Sequence, residues 1–173
     1  MSDAAVGVLF VCTGNSARSI IAECVLNRLG QGRFNAYSAG SHPKGEVHPY
    51  ALDILKEQNH DISKLSSKSW DEFAETHAPK IDVVITVCDN AAGEACPVWP
   101  GNPMTVHWGL PDPAAAKGSE DETRQAFADC LEATTRRIDA LCDLPVADLD
   151  KQTLRARLEA IGRPQERAES AWG

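Results

Sequence analysis

Cys12, Thr13, Gly14, Asn15, Ser16, Ala17, Arg18 and Ser19 stand between the apolar run Val8-Leu9-Phe10-Val11 and a helix-like segment from Ile20 to Leu29. A thiol and a guanidinium at the two ends of a short polar loop between strand and helix make an oxyanion trap with a nucleophile at its floor. Backbone N–H groups of a tight loop entering a helix converge on one point, where unsatisfied donors and the helix dipole favour a tetrahedral anion. The same field favours thiolate over thiol, which predicts Cys12 as the ionised nucleophile. Arg18 adds a planar fork that grips two oxyanion oxygens at once, a geometry lysine lacks. Gly14 offers backbone freedom, and the Asn15 amide can brace the loop. The spacing of cysteine, five residues, then arginine recurs at Cys130 and Arg136. That second copy lies in a long amphipathic segment with no strand before it and no glycine within it, so it cannot form an anion loop.

Three more residues could take part in chemistry. Cys88 and Cys96 enclose the small, polar segment Asp89-Asn90-Ala91-Ala92-Gly93-Glu94-Ala95, of a kind that can rearrange. They read either as a redox pair or as two unrelated packed thiols. Their spacing does not suit structural zinc, which favours close C-x₂₋₄-C pairs. Asp112 is held between Pro111 and Pro113. It reads either as the start of a turn ahead of proline or as a general acid, kept protonated by the like charge of a bound oxyanion. Cys24, Cys130 and Cys142 fall on helix faces and behave as small hydrophobes.

These residues need elements to position them. Strands are expected at Val6–Val11, Phe34–Ser38, Ile81–Val87 and Met104–Trp108, short and apolar enough for a buried parallel sheet. Helices are expected at Ala17–Leu29, stopped by Gly30, and from Pro49 to Gln58, with proline in the first turn. Ser69 with Glu72, and Ser119 with Glu122, have capping-box spacing. The helix after Ser119 places Phe127, Leu131, Thr134, Ile138 and Leu141 on one stripe, which is core packing. The fold class is therefore α/β, a doubly wound sheet of four parallel strands with helices on both faces and right-handed crossovers. Ligands in such sheets bind outside the carboxyl ends of strands, the rim to which Cys12, Cys88 and Asp112 all belong. Residues 1–145 are expected to form this domain, and residues 146–173 an appended helix, about Asp150–Ile161, with a frayed tail.

With 173 residues the chain can bury a core of one compact domain. No stretch reaches the ~18 apolar residues of a membrane span, and no secretory leader is visible, so a cytoplasmic protein is expected. Six cysteines in a reducing compartment read as catalytic, redox-active or packed thiols rather than static disulfides. The net charge of −8 disfavours binding to nucleic acid or to anionic membranes.

Val11 to Ser19 resembles the phosphate loop of the low-molecular-weight protein tyrosine phosphatase superfamily, and Thr13 and Ser16 are closer to its arsenate reductase branch. Tyr37-Ser38-Ala39-Gly40, Val87-Cys88-Asp89, Cys96-Pro97 and Pro111-Asp112-Pro113 extend the resemblance over roughly residues 6 to 143. The resemblance implies reduction of arsenate to arsenite without metal or organic cofactor, with phosphate or sulfate as competing oxyanions. It implies Cys12 as nucleophile, Arg18 and the loop residues 13–19 as the anion site, and Asp112 as acid. It also implies a relay in which Cys88 meets Cys12 and then Cys96, regenerated by thioredoxin or by glutathione and glutaredoxin. This chain departs from the pattern by one extra residue between Cys88 and Cys96. Asn15, Glu23, Ser38 and Asp71 resemble the potassium (K+) site of some arsenate reductases, an oxygen-rich set suited to a hard cation. The rival readings are a phosphatase hydrolysing phosphomonoesters, to which Cys88 and Cys96 are superfluous, and a noncatalytic oxyanion-binding regulator.

Overall fold

A computed structural model describes residues 5–75, 77–87, 103–113 and 118–162. Along the chain run β1 (Val6–Cys12), α1 (Arg18–Leu29), β2 (Phe34–Gly40), α2 (Pro49–Glu57), a 3-10 turn at Trp70–Phe73, β3 (Val83–Thr86), β4 (Met104–His107), α3 (Glu120–Cys142), a second 3-10 turn at Val146–Asp148 and α4 (Lys151–Ile161). The four strands form one sheet in the order β2-β1-β3-β4, with every pairing parallel. Val8, Leu9, Phe10, Val11 and Cys12 are all buried, so both faces of the central strand are covered. That is why β1 reads as a continuous apolar run rather than an alternating one.

The stripe expected on α3 is the core stripe: Phe127, Leu131, Thr134, Ile138 and Leu141 are buried, and the helix packs on α1 and α2. The helix starts at a full capping box, the Ser119 hydroxyl accepting from the Glu122 amide while the Glu122 carboxylate accepts from the Ser119 amide. The Ser69 expectation changes in detail. Only one 3-10 turn follows, and Ser69 Oγ accepts from the Asp71 amide instead of forming a box with Glu72. The tighter turn brings the second residue of the turn, not the third, within reach of the cap. Gly30 does end α1, but at φ −102°. It is required for close approach, since a Cβ there would lie 2.8 Å from the Phe34 ring. The last helix, α4, packs on β4 and α3, and the Trp108 indole donates to Leu158 O at 2.8 Å. Among the described residues no helix is long and apolar enough to cross a membrane.

Cys12 ends β1 opposite Gly40, the last residue of β2. Beyond β3 and β4 the chain keeps to the same rim: the Val87 amide donates to Val11 O at 2.9 Å and the Leu110 amide to Val87 O at 3.0 Å. The carboxyl ends of three neighbouring strands thus converge around the start of α1.

Candidate active site

The loop after β1 is shaped by its carbonyls. Cys12 O, Thr13 O, Gly14 O and Ser16 O accept from the amides of Ser41, His42, Lys44 and His48 at 3.2, 2.9, 2.9 and 2.8 Å. A trans peptide carries its N–H opposite its C=O, so the amides of these units face the other way, into the loop. The Asn15 amide accordingly donates to Cys12 Sγ at 3.1 Å. Asn15 is the residue in the left-handed region, at φ 44°, a conformation asparagine tolerates better than most residues. The conformational freedom attributed to Gly14 is therefore exercised one residue later. Asn15 also braces the loop as expected: it is fully buried, its Nδ2 donates to Ser19 Oγ at 2.8 Å, and its Oδ1 accepts from the Lys68 amide at 2.7 Å. Ser19 Oγ lies 3.0 Å from Cys12 Sγ. Since that oxygen already accepts from Asn15, its own hydrogen is available to the sulfur.

At the mouth, Arg18 begins α1 with one guanidinium nitrogen on Leu110 O at 2.9 Å and another 3.8 Å from Asp112 Oδ2. Arg137, buried in α3, donates to Gly109 O at 3.2 Å. Two guanidinium groups thus hold the segment that carries Asp112. His48 caps α2, its Nδ1 accepting from the Tyr50 amide, and its ring packs 4.6 Å from that of Phe127. Burial and the nearby Lys44 push His48 below the ordinary histidine range, against an opposing pull from Asp112. It is therefore a neutral wall of the site at pH 7.

Cys12, Arg18 and Asp112 come together with residues 13–19 in one site. Cys88 and Cys96 lie outside the described residues. Of the set resembling a potassium site, Glu23 and Ser38 meet: the Ser38 hydroxyl donates to Glu23 Oε1 at 2.5 Å. Lys68 Nζ stands 3.8 Å from the same carboxylate oxygen, while Asp71 is exposed. An ammonium already balances this carboxylate, so the set does not fit a free potassium ion. Residue spacing gave no signal for Lys68, Ser67, Gly40 or Arg137. Ser67 Oγ donates to Gly14 O at 3.3 Å. A Cβ on Gly40 would lie 2.5 Å from Thr13 O, so the glycine lets the loop pass over the end of β2. The sequence marks Gly40 only as the end of the Tyr37-Ser38-Ala39-Gly40 resemblance, with no role attached to it. A cleft of about 560 Å³ between α1, α2 and α3 contains none of the loop residues.

The thiols separate by environment. Burial, with Glu23 and Asp61 adding to it, pushes Cys24 up to about 11, and burial pushes Cys130 up to about 12. Both therefore favour the thiol form at neutral pH, which is the poorer nucleophile. Alkylation followed by peptide mass analysis is expected to label Cys12 ahead of both, with phosphate protecting it. Faster labelling of Cys24 or Cys130 would remove Cys12 from the nucleophile's position. Arg18→Lys keeps the charge and loses the fork. With about 1.5–3 kcal/mol per charge-assisted hydrogen bond, the variant should bind phosphate on the order of 10–100-fold more weakly by calorimetry.

The family model described as low molecular weight phosphotyrosine protein phosphatase matches residues 7–155. An arsenate reductase of Halalkalibacterium halodurans is 37% identical over 131 residues, covering 76% of this chain and 91% of that protein. The Corynebacterium glutamicum thioredoxin-dependent arsenate reductase superposes with a TM-score of 0.61 at 28% identity, covering 82% of this chain and 62% of that one. The chain thus spans a little under two thirds of the length of that protein. An arsenate reductase in the phosphate-binding state superposes with a TM-score of 0.64 at 29% identity, covering 79% of this chain and 96% of that one. The match begins at Gly7 and runs through the nucleophile loop, the Asp112 segment and α3 into α4, so sequence, sheet order and site geometry agree that this chain belongs to the low molecular weight phosphotyrosine protein phosphatase family.

Proposed function

We infer that this protein is an arsenate reductase. One observation carries the reading at the site: the Cys12 sulfur is held by the Asn15 amide and the Ser19 hydroxyl beneath a mouth formed by Arg18 and Asp112. On this reading the held sulfur attacks the oxyanion, and Asp112, beside Arg18, serves as the acid. The likeness to arsenate reductases and the further cysteines Cys88 and Cys96 favour the reductase over a hydrolase, because hydrolysis has no use for them.

In the proposed cycle Cys12 Sγ attacks arsenic(V), a hydroxyl leaves as water with a proton from Asp112, and a sulfur–arsenic bond forms. The Cys88 thiolate then attacks Cys12 Sγ. The sulfur–arsenic electron pair stays on arsenic, which leaves as arsenite, and a Cys12–Cys88 disulfide remains. Attack by Cys96 on Cys88 frees Cys12 and moves the disulfide to Cys88–Cys96. Thioredoxin, a dithiol, returns that disulfide to thiols by exchange. A reducing cytoplasm is the compartment in which such a cycle runs. No step requires a metal or an organic cofactor.

The test is arsenate-dependent NADPH consumption by the purified chain with thioredoxin and its reductase, compared with glutathione, glutaredoxin and glutathione reductase. Turnover with the first set is expected. Turnover with the second set alone would replace the relay with a glutathione route. Hydrolysis of an aryl phosphate with no arsenate-dependent consumption would return the chain to the phosphatases.

A further inference from the structure

Lys68 touches both the nucleophile loop and the helix that follows it. Its ammonium lies 3.8 Å from Glu23 Oε1 and donates to Ser66 O at 2.9 Å. Its own backbone amide donates to Asn15 Oδ1 at 2.7 Å, and its carbonyl accepts from the Gly40 amide at 2.9 Å. Glu23 is 9% exposed and sits in the first half of α1, held to β2 by the Ser38 hydroxyl. Burial raises its pKa above the ordinary carboxylate value, and the Ser38 hydroxyl and Lys68 pull it back down without cancelling that rise. A buried carboxylate needs a cationic partner, and one supplied through a side chain fixes whatever backbone that side chain belongs to. Here that backbone is the clamp on Asn15, the left-handed residue whose N–H reaches the Cys12 sulfur.

We propose that Lys68 is a positioning residue that acts as a tethered monovalent cation: its ammonium on Glu23 anchors its amide on Asn15, which keeps the Asn15 N–H on the Cys12 sulfur without a free potassium ion. The lysine touches neither the sulfur nor the anion pocket in this arrangement; it acts through Asn15. The assignment rests on Cys12 as the reactive thiol, yet it does not depend on arsenate being the substrate. A soluble ion must be recruited from solution, whereas the lysine ammonium is present at fixed occupancy, so the loop should be indifferent to the salt around it. Loss of the ammonium should convert that indifference into dependence, because the buried Glu23 carboxylate then has to find another cation.

The test measures Cys12 alkylation by iodoacetamide at pH 6 and phosphate affinity by calorimetry, in potassium chloride and in tetramethylammonium chloride, at equal ionic strength. Wild type is expected to behave alike in both salts. Lys68→Met keeps the aliphatic stem and loses the charge. It should alkylate about tenfold more slowly in tetramethylammonium, since the Asn15 N–H no longer holds the sulfur, and potassium should restore much of the rate. Lys68→Arg keeps a cation on Glu23 and should remain close to wild type in both salts. Glu23→Gln should lose reactivity like Lys68→Met, with no recovery in potassium, and its circular dichroism and that of Lys68→Met check that both fold. Wild-type rates that rise several-fold in potassium would overturn the proposal. So would a Lys68→Met protein that matches wild type, or one whose slow rate neither potassium nor the arginine variant restores. Absence of arsenate reduction in the wild type alongside a potassium-rescued Lys68→Met would sink the reductase reading and leave this inference standing.

Discussion

A Cys96→Ser protein is expected to release about one equivalent of arsenite per chain and then stop, trapped as a Cys12–Cys88 disulfide, since the thiolate that should attack Cys88 is missing. The effect is the loss of every turnover after the first, larger than any change of rate constant at the loop. Cys88→Ser should fail one step earlier and hold the arsenic on Cys12, releasing no arsenite. Rapid acid quench, arsenite quantification and disulfide mapping by mass spectrometry separate the two stalls. Disulfides need Cα atoms within roughly 4.4–6.8 Å, so the relay requires the chain between Cys88 and Cys96 to change shape as it passes on the disulfide. A hydrolase would show neither stall, and its action on an aryl phosphate would survive both substitutions. Sustained cycling of Cys96→Ser with thioredoxin would end the three-cysteine mechanism.

Asp112→Asn is expected to slow formation of the arsenic adduct by on the order of 10²–10⁴, the usual contribution of a positioned acid or base. The carboxylate stands 3.8 Å from an Arg18 nitrogen at the open side of the loop, and 39% of its side chain is exposed. Asparagine retains the size and loses the transferable proton. Removing a negative charge beside Arg18 leaves anion binding intact or tighter, so the variant should separate the two quantities: phosphate affinity kept, single-turnover rate lost. If stopped-flow single-turnover rates match wild type, Asp112 is no more than a turn residue that pairs with Arg18.

The strand, loop and helix that carry Cys12 and Arg18 are legible in the chain because all the needed signals are local. Four apolar residues lead into a polar loop with a glycine, and a helical period follows within twenty positions. The α3 stripe and its Ser119 and Glu122 cap are legible for the same reason, since a helix repeats its contacts every three to four residues. The rim shared by Cys12 and Asp112 follows from alternation of strands and helices, which dictates parallel pairing and places every strand's carboxyl end on one side. What closes the loop is of another kind. Lys68 and Ser67 reach Asn15 and Gly14 across 53 residues of chain, Gly40 makes room for Thr13, and Arg137 holds Gly109 from the far side of the Asp112 segment. Gly40 is marked only as part of the Tyr37-Ser38-Ala39-Gly40 resemblance, and Lys68, Ser67 and Arg137 have no spacing or neighbour that marks them. Lys68 shows most plainly why: its amide bonds Asn15 because the segment before the 3-10 turn runs beside the end of β2, and its ammonium meets Glu23 because α1 packs there. Chain periodicity determined which elements form and which rim they share, while the contacts that aim the nucleophile were decided only when three distant segments were packed together, since a hydrogen bond between distant residues depends on where their backbones pass and not on their order in the chain.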